Sequence, residues 1–418
     1  MISFQIPQGV ENVANLIHGL AEGLMRKWAR WADDHEHECC EEWVKTMWDL
    51  AKGGMMSSTA GGLSRKKKDK PDAKEGEQRK VTYQNLIMAA AVEELSWGDA
   101  GLYLSMPFMG LGGAAIAAVG TEEQKDKFLK RFTTADGPVW GAMAITEPGA
   151  GSDSAAITAT AELDEKTREW ILNGEKIFVT QGKSAVEDSD GLVVVWATRD
   201  RKVGRAGIKS FVVEAKTPGM KVTKVEDKLG IRASDTAAIV FEDCRIPYEN
   251  VLGDPEVKSG FKGVMETFDA TRPMVAASAI GIGRAALERI KDLYAQQGGE
   301  LRYGINPNTL SSTERDIMMM EAQLKASRLL TWKASWMADA GKHNNLEASV
   351  AKAKTGKAIT WVANKAVELA GPVGYSKKEL LEKWLRDAKI NDIFEGTGQI
   401  NTLIVARRYF GLSSKELK

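Results

Sequence analysis

Six short runs rich in β-branched or aromatic residues fall in a single block of the chain, at 140–146, 169–180, 191–199, 208–215, 220–225 and 236–241, each bounded by turn residues. On either side, apolar residues recur at helical spacing instead, over 12–32 and 38–52 before the block and over 260–297, 312–340, 345–370, 378–393 and 398–410 after it. A strand pattern repeats every two residues and a helix pattern about every 3.6, so neither pattern buries a face in the other conformation. The order helix, strand, helix predicts an α+β multidomain fold. It comprises an N-terminal helical domain over 1–138, a middle β domain, barrel or sandwich, over 139–252, and a C-terminal four-helix bundle over 253–418.

With 418 residues the chain is long enough for two or three domains around a large buried core. Lys plus Arg and Asp plus Glu number 57 each, so no net field draws in nucleic acid or an anionic membrane. Three cysteines, two of them adjacent at Cys39 and Cys40, form no disulfide framework, and a reducing cytoplasm is the expected compartment. The start of the chain lacks the basic region, apolar run and small-residue cleavage site of a secretion signal. Residues 53–80, with a dense run of Lys, offer little to bury and read as a surface loop; no aromatic residues interleave the charges as in a nucleic-acid patch. His35-Glu-His37-Glu-Cys39-Cys40 has no second ligand cluster later in the chain, so a solvated helical face is expected there and no metal. The uncharged stretch 102–119 has the hydropathy of a membrane span, but Pro107, Gly110, Gly112 and Gly113 point to a helix buried in a bundle, with room for something to approach. Thr121-Glu-Glu-Gln-Lys predicts a capped helix running to about Phe132.

Three stretches carry residues of chemical use. Thr146-Glu-Pro-Gly-Ala-Gly-Ser-Asp153 follows a strand and packs two glycines and a proline into a loop. Its N–H groups suit close approach to a ligand, and the same residues suit a tight turn with no ligand. In Asn173-Gly-Glu-Lys-Ile-Phe-Val-Thr-Gln-Gly182, Phe178 and Thr180 share one strand face, suited to stacking on a flat ring with a hydrogen bond to its edge, and equally to a half-buried core. Asp387-Ala-Lys-Ile-Asn-Asp-Ile-Phe-Glu-Gly-Thr-Gly-Gln399 places Glu395 in the last turn of one helix, against its macrodipole, with Gly396 as the capping glycine and a second helix from Thr397. Glu395 reads as a surface residue beside a cap, or as a general base whose proton affinity rises when substrate displaces water.

Together these pieces resemble the acyl-CoA dehydrogenase family. Ala144-Ile-Thr-Glu-Pro-Gly-Ala-Gly-Ser-Asp153, Asn173-Gly-Glu-Lys-Ile-Phe-Val-Thr180, Gly230-Ile-Arg-Ala-Ser-Asp-Thr236, Phe268-Asp-Ala-Thr-Arg-Pro273 and Arg386-Asp-Ala-Lys-Ile-Asn-Asp-Ile-Phe-Glu-Gly-Thr397 stand in family order, over about residues 80 to 410. The chain looks like actinobacterial members of the kind that often work as mixed complexes. The resemblance implies FAD, a β domain between two helical domains, and a tetramer. It also implies α,β-dehydrogenation of an acyl-CoA, with Glu395 taking the α-proton, a hydride passing from the β-carbon to flavin N5, and the electrons going on to an electron-transfer flavoprotein. An oxidase that uses oxygen, or a mainly structural partner subunit, is the alternative. By the same resemblance Met143, Ile145, Thr146, Gly151, Ser152, Phe178, Val179, Thr180, Thr397 and Gln399 would contact the flavin. Ser152, Asp269, Arg272 and Gly396 would meet the acyl-CoA, and Arg302, Glu368 and Gly371 would serve the ADP part of a neighbour's FAD. Phe178 stands where Trp is commoner. Thr271 occupies the position where some relatives carry the base, and a hydroxyl cannot do that work.

Departures from the family pattern carry two more expectations. Gly110, Gly112 and Gly113 remove volume from the helix that lines the acyl pocket in relatives, which favours a bulky or long acyl group, although close helix packing explains them equally. Glu300-Leu-Arg-Tyr-Gly304 has a carboxylate where relatives offer Arg to the pyrophosphate, and Glu368-Leu-Ala-Gly-Pro372 exchanges a Gln for an acid and a glycine N–H for a proline. An α2β2 heterotetramer with about two FAD, in which a homologous chain donates the ADP-binding elements, follows from these changes.

Overall fold

The computed structural model describes residues 6–52, 83–254, 260–413 and 416, so the Lys-rich stretch read as a loop lies outside the described residues. The N-terminal part holds α1 (Gln8–Leu20), a π-helical turn (Ala21–Met25), α2 (Arg26–Asp34), α3 (Glu41–Lys52), α4 (Gln84–Ser105), α5 (Gly110–Val119), α6 (Glu122–Leu129) and α7 (Arg131–Thr134). The uncharged run at 102–119 is not one helix. It breaks around Pro107, and α4 and α5 meet at 86°. Among the described residues no single helix is long and apolar enough to cross a membrane. As the sequence predicts, Thr121 and Gln124 form a reciprocal capping box at the start of α6.

Seven strands follow: β1 (Gly141–Ala144), β2 (Thr160–Asp164), β3 (Glu169–Thr180), β4 (Leu192–Thr198), β5 (Ile208–Glu214), β6 (Met220–Val225) and β7 (Thr236–Pro247), with the short α8 (Gly182–Val186) after β3. They make one sheet in the order β1-β4-β2-β3-β7-β6, and β5 pairs antiparallel with β4. The sequence predicts six of these strands. It misses β2, whose Thr-Ala-Glu-Leu-Asp carries one large apolar residue and no clear alternation. β4 is buried along its whole length because the sheet is covered on both faces. Val193, Val195 and Ala197 join a core shared with α1–α3, while Leu192, Val194 and Trp196 join the core under α5 and α6.

The C-terminal part is a bundle of α9 (Gly260–Gln296), α10 (Ser312–Asp339) and α11 (Asn345–Ala370), closed by α12 (Pro372–Tyr375), α13 (Leu381–Ile390) and α14 (Gly398–Phe410). Its core, around Ile280, Ile317, Ile359 and Trp384, takes in Ala100 of α4 and Ile231 from the loop before β7, so the three parts of the chain meet on one surface. A buried ion triad marks that meeting. Lys383 Nζ of α13 lies 2.6 Å from Asp99 of α4 and 2.6 Å from Asp387, and the other oxygen of Asp387 accepts the Ile231 N–H at 2.6 Å. Gly230 leaves no room for a side chain there, since a Cβ would collide with the backbone of Arg386.

Candidate active site

Contrary to the sequence expectation, α13 ends at Ile390, and Glu395 lies in the segment that joins α13 to α14 rather than in a last helical turn. The segment is pinned by its polar groups. Gly398 N–H donates to the Asp392 carbonyl at 3.0 Å, Asn401 Nδ2 donates to the Gly396 and Thr397 carbonyls at 2.9 and 3.0 Å, and Thr397 caps α14 by accepting the Ile400 N–H. In this frame Glu395 adopts φ +52°, a left-handed conformation that costs a non-glycine residue about 1 kcal/mol or more. Glu395 therefore precedes the positive end of α14 instead of opposing the negative end of α13.

Three helices surround the carboxylate. Thr271 and Arg272 come from α9, Lys352 from α11 and Tyr103 from α4, and all four act electrostatically on Glu395 or feel its charge. Glu395 Oε2 is buried and has no hydrogen-bond partner among the described residues. Burial raises the Glu395 pKa, against the Thr271 hydroxyl and the charges of Lys352 and Arg272. Tyr103 is held above the ordinary phenol range, by burial first and then by Glu395. Lys352 is lowered to about 8 by burial, against the attraction of Glu395 and Asp392.

The glycine loop and the end of β3 form the second part of the site. Lys176, fully buried, donates to Glu147 Oε1 at 2.7 Å and to the Ile145 carbonyl at 3.1 Å, and Glu147 accepts from Thr158 and from the Ala159 N–H. That buried pair fixes the loop from within and leaves Gly149 and Gly151 open, with nothing within 4 Å of a would-be Cβ. The Ile177 N–H donates to the Thr146 carbonyl at 2.9 Å, setting Thr146 against β3, where register with β7 shifts between Lys176 and Val179. Phe178 at φ +56° and Gln181 at φ +60° turn the strand end, leaving Phe178 60% exposed, Val179 buried and Thr180 half-buried. Gln181 Nε2 then donates to the Leu104 carbonyl, one residue from Tyr103. The strand end is thus tied to the end of α4, beside the Tyr103 that feels the charge of Glu395. Met143 is buried in β1, Ile145 half-buried, and Gly151 and Ser152 exposed.

Other candidates stand apart. Arg302 Nε and Nη2 clamp Glu314 at 2.8 and 2.7 Å, and Glu368 pairs with Lys365 at 2.5 Å. Along α11, Glu368 is about 24 Å from Lys352 at about 1.5 Å per residue, and Gly371, at φ +57°, ends that helix. Gly396 and Thr397 directly follow Glu395, and Gln399 is exposed. Arg272 is only 3% exposed, whereas the side chain of Asp269 lies outside the described residues. His37 pairs with Asp227, and Glu36 with Arg232. Sequence reasoning missed Lys352, Tyr103 and Gln181. Lys352 left one signal, a charge on the face of α11 that also holds Ala348, Ala351, Thr355 and Ile359, all buried.

A sheet between two helical domains, a buried acid, an exposed aromatic on a turned strand end and a glycine-opened loop are together in keeping with a flavoprotein-type oxidoreductase. Residues 76–136, 142–244 and 258–410 match the N-terminal, middle and C-terminal domains of acyl-CoA dehydrogenases, and the chain belongs to the acyl-CoA dehydrogenase family. It is 36% identical to the mitochondrial short-chain specific acyl-CoA dehydrogenase of Sus scrofa over 377 residues, 89% of this chain and 83% of that one. Butyryl-CoA dehydrogenase from Megasphaera elsdenii superposes with a TM-score of 0.80 at 30% identity, over 98% of this chain and all of that one (100%). A chain from a structure of the electron transferring flavoprotein of Acidaminococcus fermentans gives a TM-score of 0.82 at 30% identity, over 98% and 99% of the two chains. The protein is an oxidoreductase and its cofactor is FAD. The residues present fit that group: an exposed aromatic on a turned strand end, a loop open at two glycines, and a buried carboxylate oxygen without a hydrogen-bond partner among the described residues.

Proposed function

We propose that the protein dehydrogenates an acyl-CoA thioester between its α- and β-carbons, with Glu395 as the base that takes the α-proton. The observation that carries this reading is the buried Glu395 Oε2, without a hydrogen-bond partner among the described residues, on a left-handed residue between helices of the N-terminal and C-terminal parts. FAD, when bound, supplies the acceptor for the hydride that leaves the β-carbon. Burial makes Glu395 a stronger base than a solvated carboxylate, and the Thr271 hydroxyl orients one oxygen while the other stays free for the proton. The Glu395 N–H, outside either helix, is the donor offered to the thioester oxygen. Phe178, Thr146 and Thr180 would hold the flavin ring, and Ser152 and Arg272 would meet the CoA side.

Electron-transfer flavoprotein is the proposed acceptor, supported by the likeness to the Acidaminococcus structure. The α5 glycines do not support a wide acyl pocket. A Cβ at Gly110 or Gly112 would lie 2.5 Å from a carbonyl oxygen of β1, and at Gly113 it would collide with Met109, so packing consumes that space. Short acyl-CoAs, named for two of the relatives, are the first to test. Anaerobic mixing with substrate should bleach the flavin of the wild type. Glu395→Gln should keep fold and FAD but lose about 10²–10⁴-fold in bleaching rate. Bleaching by this variant at near wild-type rate would remove Glu395 from the reaction.

A further inference from the structure

Among the described residues, three lysines are buried to less than 2% exposure: Lys176, Lys352 and Lys383. Two are locked in short ion pairs, Lys176 with Glu147 and Lys383 with Asp99 and Asp387. The third, Lys352, has a buried Nζ that makes no hydrogen bond among the described residues, although burying an ammonium without a partner is costly.

Its position explains why the fold tolerates it. Gly356, one turn further along α11, is packed so closely on the segment carrying Glu395 that a Cβ would lie 2.8 Å from the Asn391 oxygen and 2.9 Å from Asp392 Cα. Lys352 shares that face. The charged and titratable groups that act on Glu395 or feel its charge are Lys352 of α11, Arg272 of α9 and Tyr103 of α4, with the Thr271 hydroxyl of α9, while Asp392 of its own segment acts on Lys352. Both unpartnered atoms, Lys352 Nζ and Glu395 Oε2, therefore lie on the same few residues of packing.

We propose that Lys352 is a positioning residue that sets the protonation of Glu395 through space, its ammonium kept out of a direct ion pair so that the carboxylate stays charged yet free to accept a proton. This rests on the reading of Glu395 as the base. Arg272 also favours the charged carboxylate but acts less strongly than Lys352, so with the Lys352 charge removed burial tips Glu395 further toward the protonated acid, which cannot take an α-proton. A cation in direct contact would depress the carboxylate and occupy the lone pair that must receive the proton. A charge one step away does neither.

The test compares Lys352→Met, Lys352→Gln and Lys352→Arg as FAD-loaded full-length protein. Flavin bleaching by an acyl-CoA is followed anaerobically against pH. In parallel, Glu395 is titrated in substrate-free protein by infrared difference between each form and its Glu395→Gln counterpart. In the Met and Gln variants the acid limb and the carboxyl titration should move together to higher pH. Bleaching at neutral pH should fall about ten-fold and recover on the alkaline side, and Arg should restore the wild-type limb. An unmoved limb in folded Met or Gln protein overturns the proposal, as does an equal loss at every pH, which marks a packing role. Glu395→Gln tested alone separates the two readings: full bleaching there removes the base itself, whereas an inactive Glu395→Gln beside an unshifted Lys352→Met removes only the role of Lys352.

Discussion

Glu395 stands in a conformation and a setting that both count against the folded state. Its backbone is left-handed and its carboxyl is pushed toward the protonated form by burial. The sign of the second effect makes it measurable. Because the folded state binds this proton more tightly than the unfolded chain does, the contribution of Glu395 to stability is full below the ordinary carboxylate range and is lost as pH rises through its folded value. Glu395→Gln carries no such charge. Thermal melts across pH should therefore show the variant gaining on the wild type as pH rises and matching it most closely in acid. A difference that shrinks with rising pH would contradict the burial of the charge. At this scale the sequence exposed the acid because the motif around it is long and ordered. It hid Lys352, since a lone Lys in a helix usually runs its stem along the surface and keeps its amine in water.

Single elements carry their own consequences, and α13 carries the most. Its Lys383 and Asp387, with Asp99 of α4 and the Ile231 N–H, tie the sheet to both helical domains just before the chain reaches Glu395. Asp387→Ala strands a buried ammonium with one carboxylate and orphans an N–H. It should destabilise by about 3–5 kcal/mol, read as a drop in melting temperature and as loss of bound FAD. Gly230→Ala should cost about 1–3 kcal/mol and slow bleaching as well, because the new methyl group pushes on the backbone at Arg386. If Gly230→Ala melts and turns over like wild type, that contact is not as tight as described. The strands and long helices were legible because each buries a full face with its own period, and α11 and α14 begin and end where their patterns do. Helix ends were less legible. The 378–393 pattern suggested a helix to the edge of Glu395, but Asn391, Asp392 and Asn401 spend their polar groups on the turn instead, and Gly356 of α11 packs against Asn391 and Asp392, a contact between segments that no local pattern carries. The same holds for the α5 glycines, whose meaning depends on β1 lying beneath them.

For the whole molecule, the departures at Glu300 and Pro372 gain weight from the bidentate hold of Glu314 on Arg302, which would have to break before Arg302 served a neighbouring phosphate. Assembly as α2β2 with about two FAD is the expected outcome, measured as the mass and flavin content of the chain expressed alone and with a homologous dehydrogenase chain. A stable homotetramer with one FAD per chain and full activity would exclude it. The length of α11 adds a mechanical consequence. One unbroken rod of 26 residues bears Lys352 near its beginning and the outward-facing Glu368 near its end. A stiff rod transmits displacement, so a subunit that docked at the far tip would also nudge the ammonium proposed to act on Glu395. Exchange of the partner chain would then retune the acidity profile of the reaction without touching a single residue of the pocket, and two complexes built on this same polypeptide should differ in the pH at which they begin to work.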